Sequence, residues 1–564
     1  MKKLVYLIFI FICIDLSFQR CANPGNPTGG PKDTIPPILI NSIPKSGTTN
    51  FNSQEIILEF SEFVNADKLR QELIITPKTD ITYKSIAKRN KLYIKLEEPL
   101  PDSTTYNFNF SEGVTDITEK NPAVNLSVAF STGPFIDSLS INGSVEELMT
   151  KEAGEGFIVG LYPLTDTLNY FTQNPMYFTS SNEAGEYSIE YIKTGTYKIL
   201  AFEDDNGNLL LDPETEQHGF LEQTIQLDTA IALPPIRCIL QNVKPIELIN
   251  ARPAGPYVEI KFNKKPDQYT ILPEYLYHNI TGDNKDVIRI YKSERLNYND
   301  SIESYITVRD SLGNQLSDTI KFVFLESNRK PSKFSISPNP TKLELQDSIK
   351  VKFQFNKPIK EFDSAAFNII ADSTFTYSIK HLKQIWNLNK TSLTATIQID
   401  KDSLLAKYTQ SLPKDTLTQD STKAAKSAGL KRSSGNNLKL VIDPAAFISV
   451  ENDSSKQVEI PLQSKKKQLG GTIDLTINTD YNSFTFQLIS ESGDVKYAFK
   501  NKKKFQFIDI KPDTYNIRVL IDEDNNGSWS YGNLLKNQEP EQVYLYPEST
   551  SVRENWVIEL GISF

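Results

Sequence analysis

The chain is poor in the residues from which most active sites are built. Its 564 residues include three Cys, three His, three Met and three Trp. His218, His278 and His381 lie far apart in sequence, and none falls in a recognisable motif, so a general base or a zinc site has few candidates. No phosphate-cradling glycine loop, Cys-x-x-Cys pair or His-Glu-x-x-His helix is present. Positive charge is in short supply too: 61 Lys+Arg stand against 70 Asp+Glu, a net charge of −9. That balance argues against a general nucleic-acid binder, and no nucleic-acid partner is expected. What is plentiful is aromatic and apolar: 25 Tyr, 31 Phe and a hydrophobic fraction of 39% describe a chain able to bury cores, and its length calls for several domains.

Met1, Lys2 and Lys3 precede an apolar run from Leu4 to Ile14, too short to span a bilayer comfortably but shaped like the core of a secretory signal. Cys21 follows, and then a Pro/Gly-rich stretch (CANPGNPTGGPKDTIPP) with the composition of a flexible tether. This arrangement resembles a bacterial lipoprotein, with a signal peptide at 1–20, Cys21 as the lipidated residue and a tether at 21–32. The residues before Cys21 are Phe18, Gln19 and Arg20, where a lipobox has small or aliphatic side chains. An ordinary cleaved signal leaving Cys21 free, or processing at Cys13, are the other readings. With Cys13 removed and Cys21 acylated, Cys238 is the one remaining thiol. It cannot form an internal disulfide and reads as a buried, inert side chain.

From Asp33 onward, short segments of period-2 alternation are punctuated by Pro, Gly, Asn and Asp turns, and no long helical pattern intervenes. The expected fold class is all-β, a tandem array of β-sandwiches. Ile56, Leu58 and Phe60 alternate with polar residues, as do Leu92, Ile94 and Leu96, then Tyr106, Phe108 and Phe110. Pro36-Pro37, Ser42-Ile43-Pro44, Gly47, Phe60-Ser61-Glu62, Thr104-Thr105-Tyr106, Asp116, Asn121 and Phe130-Ser131-Thr132 occur in an order that resembles the bacterial Ig-like domain of surface-layer proteins. The resemblance covers residues 33–135.

Weaker relatives follow. Val258, Ile260 and Phe262 lead into Asn263-Lys264-Lys265-Pro266, and Asp310 to Asn314 supplies the matching turn. Ile349, Val351, Phe353 and Phe355 lead into Asn356-Lys357-Pro358. Degenerate Ig-like units are therefore expected at 243–328 and 329–465, the second with a polar insertion at 402–437 that should be a mobile loop.

A repeat runs at an offset of 318 residues. Tyr187-Ser188-Ile189, Ile192-Lys193, Thr196-Tyr197 and Asp204-x-Asn206-x-Asn208 align without a gap on Phe505-Gln506-Phe507, Ile510-Lys511, Thr514-Tyr515 and Asp522-x-Asp524-x-Asn526. The arrangement resembles the transthyretin-like sandwich of carboxypeptidase regulatory-like domains, giving copies at 136–242 and 466–564. Gly143-Ser144-Val145 and Gly471-Thr472-Ile473 fit the opening strands.

The acidic loops of these copies carry the one ligand-like spacing. Asp204, Asn206, Asn208 and Asp212 fall at positions 1, 3, 5 and 9, as in the early part of a calcium loop, with Glu216 one step later than the bidentate Glu of an EF-hand. The second loop has Asp522, Asp524 and Asn526 but Ser530 at position 9, and should bind less well. The competing reading is a turn held by Asx side chains. His218, just after the first loop, reads as a metal contact or a solvated loop histidine.

Taken with a resemblance to lipoproteins of Bacteroidota over the first 135 residues, the expected function is a non-enzymatic outer-membrane lipoprotein. It would act as a scaffold or accessory subunit of an envelope complex, such as the machinery of barrel assembly or surface-lipoprotein export. Its partners would be the outer membrane, through the lipid, and other envelope proteins, including a β-barrel complex; whether it faces the surface or the periplasm stays open. The alternative is a surface glycan-binding lipoprotein that stacks sugars on Trp386 or Trp529.

Overall fold

The computed structural model describes residues 32–327, 332–371, 375–411, 438–463 and 470–564. Cys21, the signal and most of the tether lie outside these residues, as does the greater part of the 402–437 insertion. The fold is all-β, with short helices at Leu69–Glu72 and Lys401–Ser411. No described helix is long and apolar enough to cross a membrane.

The chain forms two compact units, Met1–Asn242 with Asn537–Glu539, and Val243–Lys536 with Pro540–Phe564. In the first unit, residues 33–132 build an Ig-like sandwich. Alternation in Glu55–Phe60 sends Ile56, Leu58 and Phe60 to one face, where none of them is exposed. One sheet has the order Leu39–Ile43, Glu55–Phe60, Lys91–Leu96, Tyr83–Lys88; the other runs Ile74–Thr76, Thr105–Asn109, Ser127–Ser131. Between them Phe130 stacks on Phe108 at 5.5 Å and meets Phe51 edge-on at 4.7 Å.

The second unit repeats this order. Leu248–Pro253, Tyr257–Phe262, Val287–Tyr291 and Tyr277–Thr281 form one sheet, opposed by Gln268–Leu272, Ile302–Arg309 and Gln315–Phe322. The four-stranded order recurs in Ile336–Asn339, Ser348–Phe355, Ser392–Gln398 and His381–Trp386. Here the opposing sheet has five strands, and the core gathers Phe353, Phe367 and Phe447. Within the span 402–437, expected to be a mobile loop, residues 402–411 belong to the helix Lys401–Ser411. The physical reason is an anchor that composition hides: Leu404 is wholly buried in this core, and Tyr408 meets Phe375 edge-on at 5.4 Å.

The two repeat copies, one in each unit, share a strand plan. In the first, Leu139–Glu147 pairs antiparallel with Glu186–Ile192 and parallel with Ile236–Leu240. In the second, Gly471–Asn478 pairs antiparallel with Lys504–Ile510 and parallel with Val557–Ser563. The likeness of the two copies extends to backbone detail. The first ladder slips between Leu139 and Ile141, the second between Gly471 and Ile473, and the bulged strands carry left-handed residues at Tyr191 (φ 59°) and Asp509 (φ 61°). Tyr197 donates its hydroxyl to the Lys193 carbonyl at 2.8 Å, and Tyr515 donates to that of Lys511 at 2.9 Å.

Candidate functional site

Each acidic loop leaves the end of a central strand. In the first copy Gly195–Phe202 pairs with Gln217–Phe220 in the register Leu200↔Phe220, Ala201↔Gly219, Phe202↔His218, and the Glu203 N–H extends it by donating to the Gln217 carbonyl at 3.0 Å. One step further, at the mouth of the ladder, Asp204 faces Glu216. In the second copy Asp513–Ile521 pairs with Val543–Leu545 as Arg518↔Leu545, Val519↔Tyr544, Leu520↔Val543, and Ile521 N–H reaches the Gln542 carbonyl at 3.0 Å. The residues at that mouth are Asp522 and Glu541.

The loops between these pairs fold alike at their start. Asn208 N–H donates to Asp204 Oδ1 (3.0 Å) and Asn206 Oδ1 (3.1 Å), Leu209 N–H to Asp204 Oδ2 (3.0 Å), and Leu210 N–H to Asn208 Oδ1 (2.6 Å). The corresponding donors in the second loop are Asn526 to Asp522 (3.1 Å) and Asp524 (2.9 Å), Gly527 to Asp522 (2.9 Å), and Ser528 to Asn526 (2.9 Å). The Asx turns expected as the competing reading are therefore present in both loops, and they gather Asp204, Asn206 and Asn208 around one arc of backbone. Left-handed residues make the arc: Gly207 (φ 71°) and Leu209 (φ 58°) in the first, Asn525 (φ 58°) and Gly527 (φ 92°) in the second.

Asp212 sits differently from the other three, through its main chain: its N–H donates to Glu216 Oε2 at 2.7 Å. Glu216 itself has no exposed surface, and its Oε1 has no hydrogen-bond partner. Burial, with the charges of Asp204 and Asp212 adding to it, raises its carboxyl above the usual range. Glu541, in the second loop, has both oxygens engaged: Oε1 takes Glu523 N–H (2.8 Å) and Oε2 takes Ser530 N–H (2.7 Å). Asp522, Asp524 and Glu541 bring their carboxylate oxygens within 4.8 Å of one another. Burial works to raise the Asp522 carboxyl, but the Ser483 hydroxyl and the N–H groups of Gly527 and Asn526 outweigh it and hold it below its ordinary range.

Glu541 was absent from the sequence-derived set, and Glu216 entered only as a misplaced twelfth ligand. A signal existed: a Glu-Gln pair, Glu216-Gln217 and Glu541-Gln542, stands at or just before the start of the strand that pairs with the loop's parent strand in each copy. The second loop is longer, so the gapless 318-residue register breaks before reaching it. His218, one residue inside the ladder, is not a solvated loop residue. It is buried, which pushes its imidazole down to about 4.

A second feature lies within the Val243–Lys536 unit. A cleft of about 580 Å³ is lined by Tyr269, Tyr275, His278, Lys360, Leu388 and Asn389, among others. Asn389 donates to the Tyr269 hydroxyl at 2.8 Å, and His278 Nδ1 lies 3.1 Å from the same oxygen. Trp386, the residue on which the glycan-binding alternative would stack a sugar, packs on the core side: it stacks on Phe355 at 5.8 Å and meets Phe362 edge-on at 5.5 Å. Trp529 donates its indole N–H to the Gln542 carbonyl at 3.1 Å and abuts Tyr531. Cys238 has no exposed surface, and burial raises its thiol pKa well above the ordinary range.

Residues 33–132 match the bacterial Ig-like domain family. No curated protein matches the chain. Among solved structures, the major pilin subunit of Bacillus cereus aligns with 76% of this chain and 99% of its own, at 10% identity and a TM-score of 0.12. The Escherichia coli adhesin FdeC aligns over 77% and 99% at 9% identity and a TM-score of 0.14. A Bacteroides ovatus protein of a mixed-linkage glucan utilization locus, solved with a heptasaccharide, aligns over 73% and 95% at 8% identity and a TM-score of 0.14. At these scores the alignments carry no inference about function.

Proposed function

We propose that this protein is an exported, lipid-anchored, non-enzymatic scaffold of the outer membrane of a Gram-negative bacterium of the Bacteroidota type. The observation that carries the reading is a tandem series of separate β-sandwich cores behind an apolar leader, Cys21 and a Pro/Gly-rich tether. Such a series presents loops at sandwich ends and strands at sheet edges. Tyr83–Lys88 and Val495–Lys500 stand at edges among the described strands, where a partner chain can add a strand through main-chain hydrogen bonds. Its work would be docking: as an accessory subunit it would hold other envelope proteins, a barrel-assembly or lipoprotein-export complex among them, close to the membrane.

Crosslinking followed by affinity purification from native membranes tests this. Stoichiometric recovery of an envelope partner supports the scaffold, and recovery of the protein alone overturns it. Cys21→Ala should move the protein out of the membrane fraction if Cys21 is the acylated residue. Protease treatment of intact cells separates a surface from a periplasmic orientation.

A second reading, glycan binding, is favoured by the cleft, where Tyr269, Tyr275 and His278 offer aromatic faces beside Asn389 and Lys360. A glycan pull-down lost in Tyr275→Ala, whose side chain is partly exposed, would favour that reading over docking.

A further inference from the structure

Two carboxylates directly opposite each other at the end of an antiparallel ladder repel, because cross-strand neighbours have Cβ atoms about 4.5–5.5 Å apart. Continuing each register one step past its last backbone bond, Glu203 to Gln217 and Ile521 to Gln542, sets Asp204 opposite Glu216 and Asp522 opposite Glu541. Neither Asp204 nor Glu216 is ion-paired with a lysine, arginine or histidine among the described residues. Burying a carboxylate without a counter-charge is costly, and Glu216 is fully buried with Oε1 unpartnered. Its other oxygen accepts the Asp212 N–H, so the side chain is turned into the loop and not into the apolar core. Asn206 and Asn208, whose side chains are exposed, place two amide oxygens on the same arc.

We infer that the mouth of the first ladder binds a calcium ion, held by Asp204, Asn206 and Asn208 on the loop side and by the buried Glu216 from the strand opposite. The donor set is all oxygen, with two carboxylates and two neutral amides in a loop of irregular backbone, which suits the 6–8 flexible oxygen ligands of Ca²⁺. An ion there cancels the cross-strand repulsion and supplies the missing partner for Glu216 Oε1. It also ties the loop to the sheet, since its ligands come from both sides of the strand pair. The second mouth differs because both oxygens of Glu541 are already satisfied by backbone N–H groups. The ion there is not needed to complete the glutamate, and the proposal concerns the first mouth.

Isothermal titration of the chelator-treated full chain with Ca²⁺ tests it, together with thermal melts in Ca²⁺ and in chelator. The wild type should bind calcium. At calcium about a hundredfold above the dissociation constant, the transition of the 136–242 domain should rise by roughly 10–20 °C. Glu216→Gln, which keeps the side-chain volume and removes the charge, should bind one equivalent fewer. In chelator it should melt at or above the wild-type temperature, because the opposed charge is gone. Asn206→Ala removes an exposed side chain whose Oδ1 also accepts the Asn208 N–H, so it should weaken the same binding step and lower the melt in chelator by no more than one hydrogen bond's worth. Absence of binding to the wild type at millimolar calcium, or an unchanged number of equivalents in Glu216→Gln, would overturn the site.

Discussion

Lys357 has no exposed surface and forms ion pairs with two carboxylates, Glu451 at 2.5 Å and Asp453. It belongs to the Asn-Lys-Pro turn that ends the strand Ser348–Phe355, and its counterpart in the preceding sandwich, Lys264, lies 2.5 Å from the buried Asp310. The asparagines of the two turns also act alike. Asn263 donates to the Pro245 carbonyl and Asn356 to that of Lys333, each tying the turn back to the segment that enters its sandwich. In the first Ig-like unit Asp116 pairs with no lysine among the described residues and is satisfied by the N–H groups of Glu119, Lys120 and Asn121 together with the Asn121 side chain.

Removing one partner from a buried ionic cluster leaves the others uncompensated. Lys357→Met should therefore destabilise the 329–465 domain by about 3–5 kcal/mol. Trp386, packed in this core, gives a local probe once Trp529 and Trp556 are changed to Phe. A urea midpoint of its fluorescence that does not move would contradict the ion-pair argument.

Burial holds the His278 imidazole down to about 4. The neutral ring is the folded form, and the unfolded chain takes up its proton near pH 6.5. Between those values the unfolded state binds more protons, so stability of the 243–328 domain should fall as pH drops from about 6.5 toward 4. His278→Asn should flatten that part of the profile. An NMR titration placing the ring's midpoint near 6.5 in the folded protein would refute the prediction.

The tyrosine hydroxyls at Lys193 and Lys511 close the same corner in both repeat copies. Tyr197→Phe and Tyr515→Phe should each cost about 1 kcal/mol, the net worth of one hydrogen bond, through loss of the bond to the carbonyl four residues earlier. Denaturant unfolding of each variant measures this, and a cost confined to one copy would show that the corners are not equivalent.

Strand faces were legible because period-2 alternation is a local property. Ile349, Val351, Phe353 and Phe355 are all buried on one side of their strand, as their spacing implied. The repeat was legible wherever its spacing held, whereas the left-handed backbone at Tyr191 and Asp509 leaves no mark in side-chain type. Its most informative partner was not, because seven extra residues separate Asp522 from Glu541 compared with Asp204 and Glu216, and pairing across a ladder ignores loop length. Helix Lys401–Ser411 escaped for another reason: its sequence is mostly polar, and its place is secured by a few side chains such as Leu404 and Tyr408. Trp386 packs against Phe355 and Phe362, as a large aromatic side chain in a sandwich usually does.

The parallel pairing of Val145–Glu147 with Ile236–Cys238 also has a mechanical meaning. Chain enters this sandwich through the first of these strands and leaves through the second, and in a parallel pair the entering and leaving ends point in opposite directions. Tension carried along the chain would load the shared hydrogen bonds in shear, all together, whereas a hairpin pulled at its open end yields one bond at a time. The 136–242 sandwich should thus resist stretching more than a domain opened from a hairpin end. Single-molecule force spectroscopy would reveal this as a high, sharp rupture peak, and a low, gradual yield would count against it.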